Sequence, residues 1–268
     1  MFYYLNLFLK SNFYDKLPKK IAKKIFKIFK IFFVETDLRK LPENNHPTSL
    51  NKNEQITLIQ NSKNKFYKSY NTCSYLLEVF SIYNSFKKNI KILDFGANNI
   101  DSYLYLNKYL KDWEYIYFDL DHYNDLINDL IKENNFKNIK VLKNLSFIEN
   151  SIDFTIFGSS IHYINNYQEI LKKFIFKKSQ FIIFSHTPFH NSESKKHDII
   201  VKQVNIFPII NYAYFIYYYD FIKFMNNNGY ELLSENKNNF IKFLNFKNFK
   251  NFEFIDYLDL IFIRKEQN

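Results

Sequence analysis

Lys91-Ile-Leu-Asp-Phe-Gly-Ala-Asn-Asn99 is an apolar run that ends in an acidic residue and one of only three glycines among 268 residues. With glycine this scarce, each one is expected at a backbone position that other residues fill badly. The run reads as a strand that breaks into a tight turn at Gly96. A strand, a turn and a following helix are the parts with which an α/β sheet holds a ligand. The composition otherwise leans toward Lys, Asn, Ile, Phe and Tyr, which reads as drift toward AT-rich codons rather than as a functional signature.

Outward from this stretch, short apolar runs alternate with helical patterns. Ile90–Leu93, Tyr115–Phe118, Ile139–Leu142, Phe154–Phe157 and Phe181–Phe184 predict strands, with helices near 101–111, 122–134 and 166–175. Repeated βα units imply a mainly parallel sheet covered on both faces. Further on, Tyr219–Asn227 reads as a helix closed by Gly229, Leu260–Ile263 as a last strand, and 236–252 as low in complexity. The aromatic run from Phe207 to Ile222 is too short for a membrane span and reads as buried protein. Upstream, 64–86 has helical spacing and 41–63, with Pro42 and Pro47, reads as a linker. The chain thus divides into a basic segment (1–40), a linker with a lead-in helix (41–88) and a main α/β domain (89–268).

The formal charge of +10 is concentrated. Residues 1–40 carry ten Lys and Arg against three acids, a net of +7, which leaves +3 for the remainder and gives no reason to invoke nucleic acid. From Pro18 to Val34, Ile21, Ile25, Ile28, Phe29 and Phe32 form one face of a helix and lysines lie around the rest. Such a helix can lie in an anionic membrane interface or dock on the protein itself. Cys73 is the only cysteine, so neither an intrachain disulfide nor a cysteine-based zinc site is possible, and a cytoplasmic location is expected. Met1–Leu9 is apolar but is interrupted by Lys10, so no signal peptide or membrane anchor is expected.

In a parallel α/β sheet the ligand crevice lies beyond the carboxyl ends of the strands. Asp94 and Gly96 follow the first strand, and Asp119 follows the second, 23 positions after Gly96. Asp119 is suited to accept from the two hydroxyls of a ribose, and equally to end a strand in solvent or cap a helix. Gly158, Ser159, Ser160 and His162 follow the fourth strand. No metal-ligand cluster and no hydrolytic carboxylate pair stands out.

Ile92–Gly96, Trp113–Asp119 and Ser151–Ile164 together resemble a class I S-adenosylmethionine (SAM)-dependent methyltransferase. Ser185-His-Thr-Pro188, Val201-Lys-Gln-Val204, Pro208 and Asn228-Gly-Tyr230 resemble a methyltransferase family found among bacterial surface-polysaccharide genes. Together the resemblances cover about residues 88–235. They imply a Rossmann-like seven-stranded sheet with an antiparallel last strand, here with an N-terminal helical extension. They also imply SAM as cofactor, held by Asp94, Gly96, Asn98 and Asp119, with Asn144 and Leu145 at the adenine and Gly158 and Ser159 at the sulfonium side. His162 and His186 are the candidate bases for a hydroxyl acceptor, ahead of His190 and His197.

Two departures stand out. Ala97-Asn98-Asn99 replaces further glycines, although Asn tolerates left-handed backbone, and Ser185-His186 replaces an Asp-Arg pair. The expected activity is methyl transfer to a sugar or glycan precursor in surface polysaccharide biosynthesis, with 18–34 as the candidate contact to an anionic membrane. The alternatives are an inactive methyltransferase-like scaffold and an NAD-dependent oxidoreductase, the latter lacking the later glycines that a pyrophosphate needs.

Overall fold

Alternate residues of the strand that opens at Ile90 go to opposite faces of one sheet. Ile90 and Ile92 join one core layer, Leu93 and Phe95 the other. The same division continues across neighbouring strands, with Tyr115, Phe154 and Ile183 in the first layer and Ile116, Phe157 and Phe184 in the second. Phe154 stacks on Phe181 and Phe157 on Phe184, at 4.9 and 5.2 Å between ring centres, one cross-strand pair on each face.

The computed structural model describes residues 31–42, 52–63, 74–148, 151–176, 179–204, 210–237, 244–245 and 255–265. The strands are β1 (Ile31–Glu35), β2 (Ile90–Phe95), β3 (Trp113–Phe118), β4 (Ile139–Val141), β5 (Ile152–Gly158), β6 (Ser179–His190), β7 (Ile199–Val204), β8 (Ile210–Tyr217), β9 (Tyr230–Lys237), β10 (Leu244–Asn245) and β11 (Ile255–Arg264). The helices are α1 (Lys52–Ser62), α2 (Ser74–Phe86), α3 (Asp101–Leu106), α4 (Asp121–Asn134), α5 (Tyr167–Ile170, continued by a π turn over Leu171–Ile175) and α6 (Tyr218–Asn227).

Strands β4, β3, β2, β5 and β6 lie side by side and parallel. Next to β6 runs β11, antiparallel, and β9 closes that side antiparallel to β11. The Rossmann-like sheet with an antiparallel last strand is therefore present. Helices α1 to α4 contribute Ile59, Phe80, Tyr103, Ile127 and Leu130 to the first core layer. Tyr167, Leu171, Phe221 and Met225 of α5 and α6 contribute to the second. Beyond β5, the far end of β6 pairs with β8, and β7 and β1 extend this side antiparallel, with β10 outside β1.

Two expectations are corrected. The helix read over 18–34 does not include Ile31–Glu35, a strand antiparallel to β7; residues 18–30 lie outside the described residues. Ile-Phe-Phe-Val suits a pleated surface, and the edge of β7 supplies its hydrogen-bond partners. The linker read over 41–63 contains α1, which buries Gln55 and Ile59, four residues apart, while most of its other positions stay polar. The lead-in helix is present over Ser74–Phe86; the remainder of the expected helical stretch, 64–73, lies outside the described residues. No helix among the described residues is long and apolar enough to cross a membrane.

Candidate functional site

From β2 the chain moves outward through β3 and β4, then returns to place β5 on the other side of β2. The strand order reverses there, which opens a crevice at the carboxyl ends of β2 and β5. Gly96 sits at this point with φ +66°, and its N–H donates to the Phe118 carbonyl at 2.8 Å. A Cβ on Gly96 would lie 2.6 Å from the Cβ of Ser160. Ser160 donates its hydroxyl to the Phe95 carbonyl at 2.7 Å, so the ends of the two strands touch directly.

The loop without further glycines closes through Asn98, which takes a left-handed conformation at φ +58°. Its N–H donates to Asp119 Oδ2 at 2.5 Å, while Asp119 Oδ1 accepts from the Leu120 N–H at 2.7 Å. The Asn124 side chain holds the Asp119 backbone at both its N–H and its carbonyl. Asn99 Oδ1 accepts from the Asp101 N–H, and the Ile100 N–H points to Gln55 Oε1 of α1 at 3.4 Å. Gly96, Asn98 and Asp119 are thus brought together, and α1 backs their loop.

Asp94 is placed differently. It is buried and accepts from the Tyr115 hydroxyl beneath the loop. Burial pushes its carboxyl up to about 6, opposed by hydrogen bonds from Tyr115 and Ser102 and assisted by the nearby Asp119 charge. A carboxyl raised on folding stabilises the fold below its unfolded value, near 4, and that contribution fades as pH rises through about 6. A shift of this size corresponds to about 3 kcal/mol at most. Asp94→Asn is expected to remove this slope, so the stability difference between wild type and variant in urea melts should change between pH 4 and 6 and stay flat above 7. A difference that is constant across pH 4 to 7 would contradict the assignment.

On the other side of the crevice, Gly158 ends β5, and a Cβ added there meets nothing within 4 Å. Ser159 has φ +58° and donates its N–H to the Ser185 carbonyl at 2.8 Å, tying the end of β5 to β6. His162, in a 3-10 turn over Ile161–Tyr163, is fully buried, and neither ring nitrogen has a hydrogen-bond partner among the described residues. Burial, and secondarily the neighbouring His186, push it down to about 3, so its imidazole is neutral. Its ring lies against Tyr163 at 4.1 Å, and Tyr163 donates to Gln203 Oε1 of β7 at 2.8 Å.

His186 occupies a bulge of β6 opposite β11, at φ +50°. Among the described residues with left-handed backbone, Ser159 and His186 are the two that are not Gly, Asn or Asp, and both stand at the crevice. His190 is farther along β6, its ring held to the His197 carbonyl at 3.1 Å, which is loop packing. Asn144 spends its side-chain oxygen on the Ser146 N–H at an exposed turn after β4, and Leu145 beside it is buried. No hydrogen bond described joins Asn144 or Leu145 to the Gly96 loop.

Two residues of the site escape sequence reasoning, and a third, Ser160, is placed after the fourth strand without its contact to Gly96. Gln55 lies in a stretch read as linker. Asp259 accepts from the Ser185 hydroxyl at 2.9 Å and from the His186 N–H at 2.8 Å. An acid between two leucines of an apolar strand was the available signal for it.

No protein-family model and no curated protein matches the chain. Among solved structures it is similar to Burkholderia thailandensis 1,6-didemethyltoxoflavin-N1-methyltransferase, at 8% identity over 88% of this chain and 100% of that one, TM-score 0.48. The N-terminal domain of EvdMO1 with bound S-adenosylhomocysteine aligns at 11% identity over 81% of this chain and 97% of that one, TM-score 0.49. A SAM-dependent methyltransferase from Clostridium acetobutylicum aligns at 11% identity over 81% of this chain and 100% of that one, TM-score 0.48.

Proposed function

We propose that the protein is a SAM-dependent methyltransferase acting on a hydroxyl of a sugar or glycan precursor. The observation that carries the reading is the crevice at the reversal of strand order. There the Asp119 carboxylate braces the Gly96–Asn99 loop on one side, and Gly158 leaves open space on the other. The Asp119 carboxylate accepts from the Asn98 and Leu120 N–H groups at the carboxyl end of β3, and an acidic acceptor at that strand end suits the vicinal hydroxyls of a ribose. SAM supplies an electrophilic methyl group on a sulfonium. The chain's part is to orient the acceptor and receive its proton. The unpartnered nitrogens of neutral His162 and the Tyr163–Gln203 pair offer uncharged hydrogen bonding next to aromatic faces, chemistry suited to a polyhydroxylated acceptor. Closure of the Ala97-Asn98-Asn99 loop by a left-handed Asn98 favours this reading over an inactive scaffold.

Calorimetry with S-adenosylhomocysteine is expected to show binding by the folded chain. Gly158→Leu should weaken that binding at least tenfold, about 1.4 kcal/mol, with the melting temperature of the unliganded protein unchanged, because the new side chain enters open space. No heat from wild type would defeat the reading. Turnover is then read with radiolabelled SAM against a panel of free and nucleotide-linked sugars.

A role at a membrane surface rests on the basic segment, and a role in surface polysaccharide assembly rests separately on the resemblance carried by Ser185–Pro188, Val201–Val204 and Asn228–Tyr230. Removing residues 1–30, which spares β1, is expected to abolish co-sedimentation with anionic liposomes at low salt. Unchanged sedimentation would remove the membrane from the proposal.

A further inference from the structure

The bulge in β6 has a chemical consequence at His186. Between paired positions Phe184–Leu260 and Thr187–Leu258, the two residues Ser185 and His186 face the single residue Asp259. Asp259 Oδ1 accepts from the His186 N–H at 2.8 Å and from the Ser185 hydroxyl at 2.9 Å. Ser185 Oγ also lies 3.1 Å from His186 Nδ1. All three residues are buried, and the bulge is level with the end of β5, where Gly158 pairs with Ser185. It therefore borders the crevice.

A serine hydroxyl has one hydrogen. With that hydrogen directed to Asp259, Ser185 Oγ meets His186 Nδ1 as an acceptor, and Nδ1 must carry the ring proton. The opposite tautomer would turn the hydroxyl toward Nδ1, leaving Ser185 Oγ and Asp259 Oδ1 2.9 Å apart with no hydrogen between them. We propose that Ser185 and Asp259 are positioning residues that fix the neutral His186 ring with its proton on Nδ1, so that the Nε2 lone pair is the base for the acceptor hydroxyl.

This rests on the methyl-transfer reading for its use, though not for its geometry. As the acceptor oxygen forms its bond to the methyl carbon, the S–C bond breaks with its electron pair going to sulfur. The hydroxyl proton passes to Nε2, and the imidazolium formed is opposed by Asp259 through Ser185. Burial lowers the His186 pKa below the usual imidazole range, the Asp259 charge opposing this only in part, so the ring is neutral near pH 8. Among the described residues, the titratable groups coupled to the ring include His162 after β5 and Asp259 on β11.

The test is long-range proton–nitrogen NMR on the full chain with 15N-labelled histidine at pH 8, the His186 signals being identified by their loss in His186→Gln. Wild type should show a protonated Nδ1 and an unprotonated Nε2. Ser185→Ala should lose that preference and Ser185→Thr, which keeps the hydroxyl, should retain it. Asp259→Asn should move the His186 titration to lower pH. A wild-type ring protonated on Nε2, or a tautomer unchanged in Ser185→Ala, would overturn the proposal. Calorimetry with S-adenosylhomocysteine on the same samples reports separately on the methyl-transfer reading, because both positioning variants should bind it as wild type does.

Discussion

Replacing Gly96 with valine should cost about 3 kcal/mol of stability and abolish binding of S-adenosylhomocysteine. Two causes combine. A side chain at φ +66° carries a left-handed penalty of about 1–2 kcal/mol, and its Cβ would overlap Ser160, which in a packed interior costs a similar amount. The two contributions can be separated. The clash is with the Ser160 side chain, so Gly96→Ala combined with Ser160→Gly should recover the steric part and leave the backbone part. A double-mutant cycle by urea melts should give a favourable coupling of at least about 1 kcal/mol. Additive losses would mean that the strand ends separate freely, and the crevice would then lack its floor.

The same residue shows where sequence reasoning succeeded. Gly96 was legible because composition made it rare, and because Ile90–Phe95 places apolar residues on both faces of a buried strand, a continuous run with turn signals after it. The five parallel strands were legible for the same reason, and the reversal of order that makes a crevice follows from their connections. Asn98 was flagged as a substitute for glycine, and its left-handed backbone fulfils that part.

What stayed hidden depends on long-range pairing. The bulge at Ser185–His186 exists because β11 passes alongside 73 residues later, and no local pattern encodes such a register shift. Helix α1 buries little apolar surface, so its periodicity was faint, yet it reaches the Gly96 loop through Gln55. Phe32 fell on the helical stripe read over 18–34, yet Ile31–Glu35 is a strand because the edge of β7 was available, a case of tertiary context deciding between two periods. Asp94, expected to shape the methionine and ribose region from its position after the strand, is buried with Tyr115 beneath the loop, a contact that no local pattern encodes.

Asp119 is the residue on which cofactor binding should depend most. Its carboxylate is tied to the crevice loop, accepting from the Asn98 and Leu120 N–H groups. If two ribose hydroxyls also donate to it, each charge-assisted bond contributes about 1.5 kcal/mol or more. Asp119→Ala should therefore weaken S-adenosylhomocysteine binding about a hundredfold, close to 3 kcal/mol. The variant also loses the brace on Asn98, so a fall in stability of about 1 kcal/mol is expected alongside. Loop slackening and lost ligand contacts make different demands, and Asp119→Asn distinguishes them. The amide keeps one accepting oxygen but turns an N–H₂ toward a backbone donor, so the brace weakens and the charge is gone. If affinity in calorimetry falls in Asn as far as in Ala while the melting temperature falls less, the carboxylate acts on the ligand directly. If both variants keep wild-type affinity, Asp119 is only a prop for the loop and the turn into α4, and the adenosine reading of this crevice fails.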